Sequence, residues 1–533
     1  MSTKQNLKGM NVVLFITDQE RAIQHFPPDW EKANLPGLKR LKYNGLTFER
    51  AFCNSCMCSP SRATLMTGFF PAQHGVKWTL EEDMPGNQYP QQELPPSFAN
   101  IASVMQAAGY STPYKGKFHL TKPHDEKNIY TPADLARYGF QRWNPTDAGA
   151  DQNPEVYGGG DADHDSRYMH DCRLMEAGNE GVLAYLKYYA GNDAADKQPF
   201  FLIVSLVNPH DVLGYPGNSG ALDKSAMANG YDPSWLRGSI ELPLTRWESL
   251  DNKPSVQKKF LQLTNAGLGQ FHSEDEERNY INFYGNLMRS SDGYLVRMLD
   301  LLEQLGLTQN TLIIRTADHG ELALTHGGMR QKSFNFYEES TRVPLVYSTP
   351  KLFPGPVTTK ALVSHVDFLP TLASLFDAPE HARKKWEGKD YSPLVLNPNG
   401  QSIQPYVVFT FDDFQSGQKT GPYLRQNSHL ISVREEKYKL AKYYTANDLD
   451  VEPDPKIEPE WEMYDLHADP QEVRNITWPG AERTPEEESE FKRLRKLIEH
   501  VTENRLQPIA QTPPPPPPEV FKAHPPQPSS ASQ

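Results

Sequence analysis

Three strongly apolar runs constrain this chain more than any other feature: Val12-Val13-Leu14-Phe15-Ile16, Phe200 to Val207, and Thr311-Leu312-Ile313-Ile314. A strand with one wet face alternates polar and apolar residues. A strand that is apolar throughout needs cover on both faces, as a parallel sheet between helices provides. The intervening segments supply that cover. Leu35 to Asn44 reads as a helix with Pro36 near its start and Gly45 as its cap. Ile101, Val104, Met105 and Ala108 share a helical face, as do Val182, Tyr185, Leu186 and Tyr189, and Asn279 to Leu305 is a long helix. Short strands are expected at Leu46-Thr47-Phe48, Tyr110 to Tyr114 and Val343 to Tyr347. This alternation predicts an α/β fold with a mostly parallel, doubly wound sheet flanked by helices.

Past residue 400 the pattern changes. Val407 to Phe411, Leu430 to Val433 and Tyr438 to Tyr443 are short strands joined by polar turns, which suggests a small antiparallel sheet. Pro485 to Asn504 reads as a charged helix with Thr484 as its N-cap. The expected domains are therefore 1–400, a smaller C-terminal α+β unit at 401–506, and a Pro-rich tail at 507–533. The tail carries six consecutive prolines, Pro513 to Pro518, and is read as disordered or as an arm for a homo-oligomer. Tyr215 to Ser273 is irregular and proline-punctuated, and is taken as an insertion forming a lid or an oligomer contact.

Charge and cysteines remove several function classes. Lys+Arg 54 against Asp+Glu 67 gives a net charge of -13, which attracts neither nucleic acid nor an anionic membrane. An anionic substrate then requires a locally positive pocket. No apolar run approaches the roughly 18 residues of a membrane span, and the polar first ten residues lack a signal-peptide core, so the expected location is cytoplasmic. Cys53, Cys56, Cys58 and Cys172 contain a single Cys-x-x-Cys spacing, too little for a zinc site or a disulfide framework.

Polar residues follow the apolar strands where ligands bind in open α/β sheets, at the C-terminal ends. They are Asp18-Gln19, then Lys117 and His119 (two apart, hence on one face of an extended segment), then His210, and Asp318-His319. Each alone has an ordinary explanation as a turn residue, a solvated lysine or an incidental histidine. Asp161, Asp163 and His164, in the loop-rich Thr121 to Asp165 stretch, read as solvated. The last feature is Cys58-Ser59-Pro60-Ser61-Arg62-Ala63-Thr64-Leu65-Met66-Thr67-Gly68. Pro60 restricts Ser59 to extended geometry, and Ala63-Thr64-Leu65-Met66 reads as the first turns of a helix closed by Gly68, which places Cys58 just ahead of a helix N-terminus. The helix dipole is expected to lower that thiol's pKa.

In this order the segments resemble the type I sulfatases of the alkaline-phosphatase-like superfamily. Cys58-Ser59-Pro60-Ser61-Arg62 with Leu65, Thr67 and Gly68 is similar to that family's signature, and Gly116-Lys117-Phe118-His119-Leu120 to its Gly-Lys-aromatic-His segment. Thr316-Ala317-Asp318-His319-Gly320-Glu321 resembles its metal-binding segment. Lys332 through Arg342-Val343-Pro344-Leu345, and Tyr464-Asp465-Leu466 with Asp469-Pro470, resemble further stretches.

The resemblance implies that a formylglycine-generating enzyme oxidises Cys58 to formylglycine. The hydrated aldehyde then attacks sulfur, expels the alcohol and later releases sulfate. It implies one divalent metal on Asp18, Gln19, residue 58, Asp318 and His319. Calcium is the expected ion, and the neutral Gln19 and His319 keep manganese and magnesium as alternatives. Arg62 is expected to hold the hydrated aldehyde, His119 to orient it, and Lys117 and Lys332 to pair with sulfate oxygens. His210 or Lys332 is expected to protonate the departing oxygen. The reading is a sulfuric-ester hydrolase of arylsulfatase type acting on a small sulfate ester. The alternative is a phosphonate or phosphate ester hydrolase with the same nucleophile, and presence of Lys117 and His119 favours sulfate. A non-catalytic binding protein on this scaffold is opposed by a competent residue at every presumed catalytic position.

Overall fold

The computed structural model describes residues 7–22, 25–80, 92–125, 127, 129–147, 164–170, 180–191, 197–217, 231–416, 424, 426–446 and 457–514. Cys172, Asp161, Asp163, the side chain of His164 and residues 515–533 of the tail lie outside them.

The three apolar runs are β1 (Asn11–Asp18), β4 (Phe201–Pro209) and β5 (Thr311–Ala317), buried at every position. With β3 (Tyr114–Gly116) they form the parallel half of an eight-stranded sheet, in the order β3-β4-β1-β5. The sheet continues through β7 (Leu345–Ser348), antiparallel to β5, and then β2 (Gly45–Phe52). The short β6 (Arg342–Val343) and β8 (Val357–Ser364) both pair with β2.

Side-chain alternation explains why β1 must be apolar throughout. Val12, Leu14 and Ile16 enter one core and Val13 and Phe15 the other. Each such burial is worth about 1.5–3 kcal/mol, so neither face tolerates a polar residue. The second core is closed by the 31-residue helix Glu274–Gln304, which buries Tyr280, Leu287, Leu295 and Met298. Ser273 accepts a hydrogen bond from Glu276 at its N-cap, and an acidic first turn complements the dipole.

The predicted α/β architecture is present, with local corrections. Gly45 does not cap the Pro36–Tyr43 helix; it begins β2, where a Cβ would meet the Leu41 carbonyl oxygen at 2.4 Å. Pro344 splits the expected Val343–Tyr347 strand into β6 and β7.

The second sheet is antiparallel, with β9 (Val407–Phe411), β10 (His429–Arg434), β11 (Tyr438–Tyr444) and β12 (Glu460–Asp465) in the order β12-β11-β10-β9. The Pro485–Arg505 helix carries the expected Thr484 cap and packs Leu494, Ile498 and Val501 against this sheet. Within the proline-punctuated 215–273 stretch lies a regular helix, Ser255–Leu268, whose Phe260 joins a core shared with Phe409, Phe411 and Tyr443. This helix of the insertion is a strut between the sheets.

Beside that strut sits a buried charged hub. His326 stacks on Tyr337, with ring centroids 3.6 Å apart. Its Nδ1 lies 3.0 Å from Glu248 Oε2 and its Nε2 3.6 Å from Glu339 Oε2. Lys253 Nζ is 2.8 Å from Glu248 Oε1 and donates to the Glu472 carbonyl at 2.6 Å. Lys439 Nζ is 2.7 Å from Glu472 Oε1. These contacts tie the main sheet's loops to the second sheet.

Candidate active site

Register places the carboxylates. β1 and β5 run side by side, with Ile16 opposite Thr316 and Thr17 opposite Ala317, so Asp18 and Asp318 leave the sheet together. On the other side of β1, Ser205 of β4 lies opposite both Ile16 and Gly116, and Lys117 emerges next to them. The Cys58–Thr67 helix points its first turn at the same edge, with Cys58 as its first residue and Gly68 as a left-handed cap.

Arg62 holds the two carboxylates. Its Nε donates to Asp318 Oδ2 at 2.9 Å and its Nη2 to Asp18 Oδ2 at 3.0 Å. Nη1 donates to the Lys117 carbonyl at 3.0 Å and to Ser205 Oγ at 2.8 Å. Burial opposes its charge, but Asp318 and Asp18 outweigh burial and raise its pKa. Most of a guanidinium's five donors are therefore committed to the protein. The expectation that Arg62 mainly holds a hydrated aldehyde is narrowed accordingly: it is first a strut for Asp18 and Asp318.

Cys58 departs from expectation more sharply. Its pKa is pushed up to about 11, by burial and then by Asp18, instead of being lowered by the helix dipole. Sγ lies 3.7 Å from Asp18 Oδ1 and 3.4 Å from His319 Nε2. Burial and the Asp18 carboxylate thus disfavour the thiolate, the nucleophilic form. The neighbouring thiols of Cys53 and Cys56 both donate to the Ser340 carbonyl, at 3.7 and 3.4 Å, and serve packing.

The donor set fits a divalent metal. Asp18, Cys58, Asp318 and His319 are all buried and offer ligand atoms within 4.8 Å of one another. His319 Nδ1 donates to the Gly320 carbonyl at 3.1 Å, which leaves Nε2 as the basic nitrogen. Nε2 lies 3.9 Å from Asp18 Oδ1 and 3.8 Å from Asp318 Oδ1. Gln19, with φ 65, stands beside this group. Its Nε2 donates to Glu321 Oε2 at 2.5 Å, and its Oε1 accepts from Lys332 Nζ at 2.5 Å.

Cations face these groups. Lys117 Nζ is paired with Asp18 Oδ2, which raises the lysine's pKa against burial. Burial would raise the Asp18 carboxyl, but Lys117, His210, Arg62 and His319 together hold it well below the usual range. His210, at the head of a short 3-10 turn after β4, is pulled well below the ordinary imidazole value by burial and by Lys117 and Lys332. His119 is likewise held neutral by burial and Lys117. Its φ of 58 breaks the extended geometry expected for Lys117 and His119. Asp147 braces the turn by accepting from Phe118 N at 3.1 Å and His119 N at 2.6 Å.

The comparisons with known proteins agree with this geometry. The family model described as Sulfatase matches residues 10–378, and the C-terminal model of N-sulphoglucosamine sulphohydrolase matches 326–503. The chain belongs to the sulfatase family. This sulfatase is 27% identical to Arylsulfatase K of Bos taurus over 92% of its own length and 82% of the relative's. It is 25% identical to the Ulvan-active sulfatase of Formosa agariphila, over 92% and 81%. Its fold is similar to that of a 2-O GAG sulfatase (TM-score 0.66, 20% identity, 93% and 92% covered). It is also similar to that of a phosphonate monoester hydrolase from Silicibacter pomeroyi (TM-score 0.63, 20% identity, 93% and 96% covered).

Several contributors to the sulfatase site were not singled out from sequence. Glu321 accepts from Gln19, from Tyr280 OH at 2.7 Å and from Gln331 N at 2.8 Å, and so sets the direction of the Gln19 amide. Ser205 lies inside an apolar strand. Asp147 follows His119 by a loop with no spacing signal, and only Glu321, inside a quoted motif, was within reach of a sequence argument.

Proposed function

We propose that this sulfatase cleaves small sulfate monoesters, aryl sulfates among them, with residue 58 as an oxidised nucleophile beside one divalent metal. Sulfuric-ester hydrolysis follows from the family. The observation that carries the finer reading is that Lys117, Lys332 and Arg62 converge with Asp18, Asp318 and His319 around residue 58, whose Sγ lies 3.4 Å from His319 Nε2. A divalent ion and an aldehyde hydrate at position 58 supply, when present, positive charge at the sulfate oxygens and an oxygen nucleophile.

The remaining work falls to the chain. Asp18, Asp318 and His319, with the Gln19 carbonyl oxygen, are the groups to hold the metal, and calcium, manganese and magnesium all suit an oxygen-rich set with one imidazole. Lys117 and Lys332 present ammonium groups to a tetrahedral anion in a dry site, where such charge is most effective. His119 and His210, both held neutral, suit hydrogen-bond acceptance and proton removal. Lys332 is then the better proton donor to the departing oxygen.

The mass of the peptide containing residue 58, from chain co-produced with a formylglycine-generating enzyme, tests this reading. The expected peptide is lighter than the thiol form, and its abundance tracks hydrolysis of 4-nitrophenyl sulfate. Full activity with only the thiol form present would overturn it. Phosphonate ester cleavage is the second reading. It is supported by the likeness to a phosphonate monoester hydrolase fold. Assay of both esters decides: faster turnover of the phosphonate would make it the main activity.

A further inference from the structure

Among the described residues, His119 has one hydrogen-bond partner for its ring. Its Nε2 faces the Leu80 carbonyl oxygen at 2.6 Å, and its Nδ1 is buried without a hydrogen bond. A carbonyl only accepts, so Nε2 carries the proton and Nδ1 is the basic atom. The useful form of the ring therefore depends on where Leu80 is held.

Leu80 is gripped from both sides. Its N–H donates to Ser59 Oγ, one residue after Cys58, at 3.1 Å. On the other side, the N–H and the Oγ1 of Thr79 each donate to Asp413 Oδ2 at 2.9 Å. Asp413 Oδ1 accepts from Ser416 N at 2.9 Å. Trp78 Nε1 donates to the Asp412 carbonyl at 3.1 Å, and the Trp78 ring meets Phe414 edge-on. The turn after β9 of the second sheet thus hooks Trp78-Thr79-Leu80 and, through them, His119.

Packing alone does not call for a carboxylate here. Asp413 is 1% exposed, and its hydrogen-bond partners are uncharged. Burial pushes its pKa up to about 6, so the group is held at an electrostatic cost. Such a cost persists where the bonds it makes are needed.

We infer that Asp413 is a positioning residue: through Thr79 it holds the Leu80 carbonyl, and that carbonyl keeps the Nε2–H tautomer of His119. The inference rests on the proposed sulfatase reading of the site, with the second sheet contributing a group that touches no substrate. The test uses the full-length chain, metal-loaded, with the modified fraction at residue 58 measured for each preparation. Steady-state hydrolysis of 4-nitrophenyl sulfate is compared for wild type, Asp413→Ala, Asp413→Asn and Thr79→Val. Asp413→Ala is expected to lower kcat by about tenfold to a hundredfold with KM within about twofold, the range for a displaced catalytic group. Asp413→Asn keeps an acceptor for Thr79 and should recover most of kcat; Thr79→Val removes one of two donors and should fall between. Equal impairment of the Ala and Asn variants, or kcat within twofold of wild type for Asp413→Ala, overturns the role. So does a kcat loss in Asp413→Ala that disappears at temperatures well below its Tm, since that loss is merely structural. If wild type turns over only a phosphonate ester, the same split is read on that ester. Wild type inactive on both overturns the functional reading and this one with it.

Discussion

At the scale of single residues, the site depends on two cations with different tasks. Arg62 joins Asp18 to Asp318 through separate nitrogens, which a lysine ammonium cannot do. Arg62→Ala, which strands both buried carboxylates, should lose about 3–5 kcal/mol and should bind metal poorly; urea midpoints and metal analysis of the dialysed chain measure both. On the proposed reading, Lys117 meets the sulfate oxygens directly. Lys117→Ala should slow sulfate ester hydrolysis by more than about tenfold, and an unchanged sulfate rate with collapsed phosphonate turnover would reverse the preferred substrate. Sequence disclosed Asp18, Asp318 and Lys117 because each follows an apolar strand or a distinctive spacing. It did not disclose the raised Cys58 pKa, because the dipole argument took no account of complete burial or of a carboxylate 40 residues away in the chain.

At the scale of elements, Gly116 sets the approach of β3 to β4. Its φ is +106, and a Cβ there would stand 1.9 Å from the Ser205 carbonyl oxygen. Gly116→Ala must part the strands that place Lys117 and Ser205, so both thermal stability and kcat should fall; a variant with wild-type kcat would show that this register is not needed. Strands buried on both faces were legible because nothing else explains five apolar residues in a row. The Ser255–Leu268 helix was not, because only Val256, Phe260 and Thr264 mark its buried face among Lys and Gln, between prolines and glycines. Helical periodicity needs more turns than that to stand out.

At the scale of the whole molecule, the two sheets are joined by buried charge as well as by apolar surface. Burial would lower the His326 pKa, but its hydrogen bond to Glu248 and the nearby Glu339 carboxylate win and raise it to about 9. An imidazole near 6.5 in the unfolded chain therefore contributes stability that is full below pH 6.5 and lost as pH climbs through 9, about 3 kcal/mol at most. The stability gap between wild type and His326→Gln should close over that interval, as read by urea denaturation; a gap constant from pH 6 to 9.5 would remove His326 from the account. No sequence pattern marked this hub, since Glu248, His326 and Glu472 come from separate segments. The tail's beginning is also engaged: Thr512 Oγ1 donates to the Gln73 carbonyl at 2.7 Å. The burial of Cys58, finally, sets an order in time. Its side chain sits at the first turn of a buried helix, 2% exposed, behind strands that pair across hundreds of residues. Any enzyme that acts on this thiol has its opportunity while the chain is still open. Chain folded first and given the modifying enzyme afterwards should stay unconverted, whereas a short peptide spanning Cys58 to Arg62 should be converted, with peptide mass as the readout. On the reading proposed above, conversion of residue 58 precedes folding, and the peptide mass separates chains converted in time from those that were not.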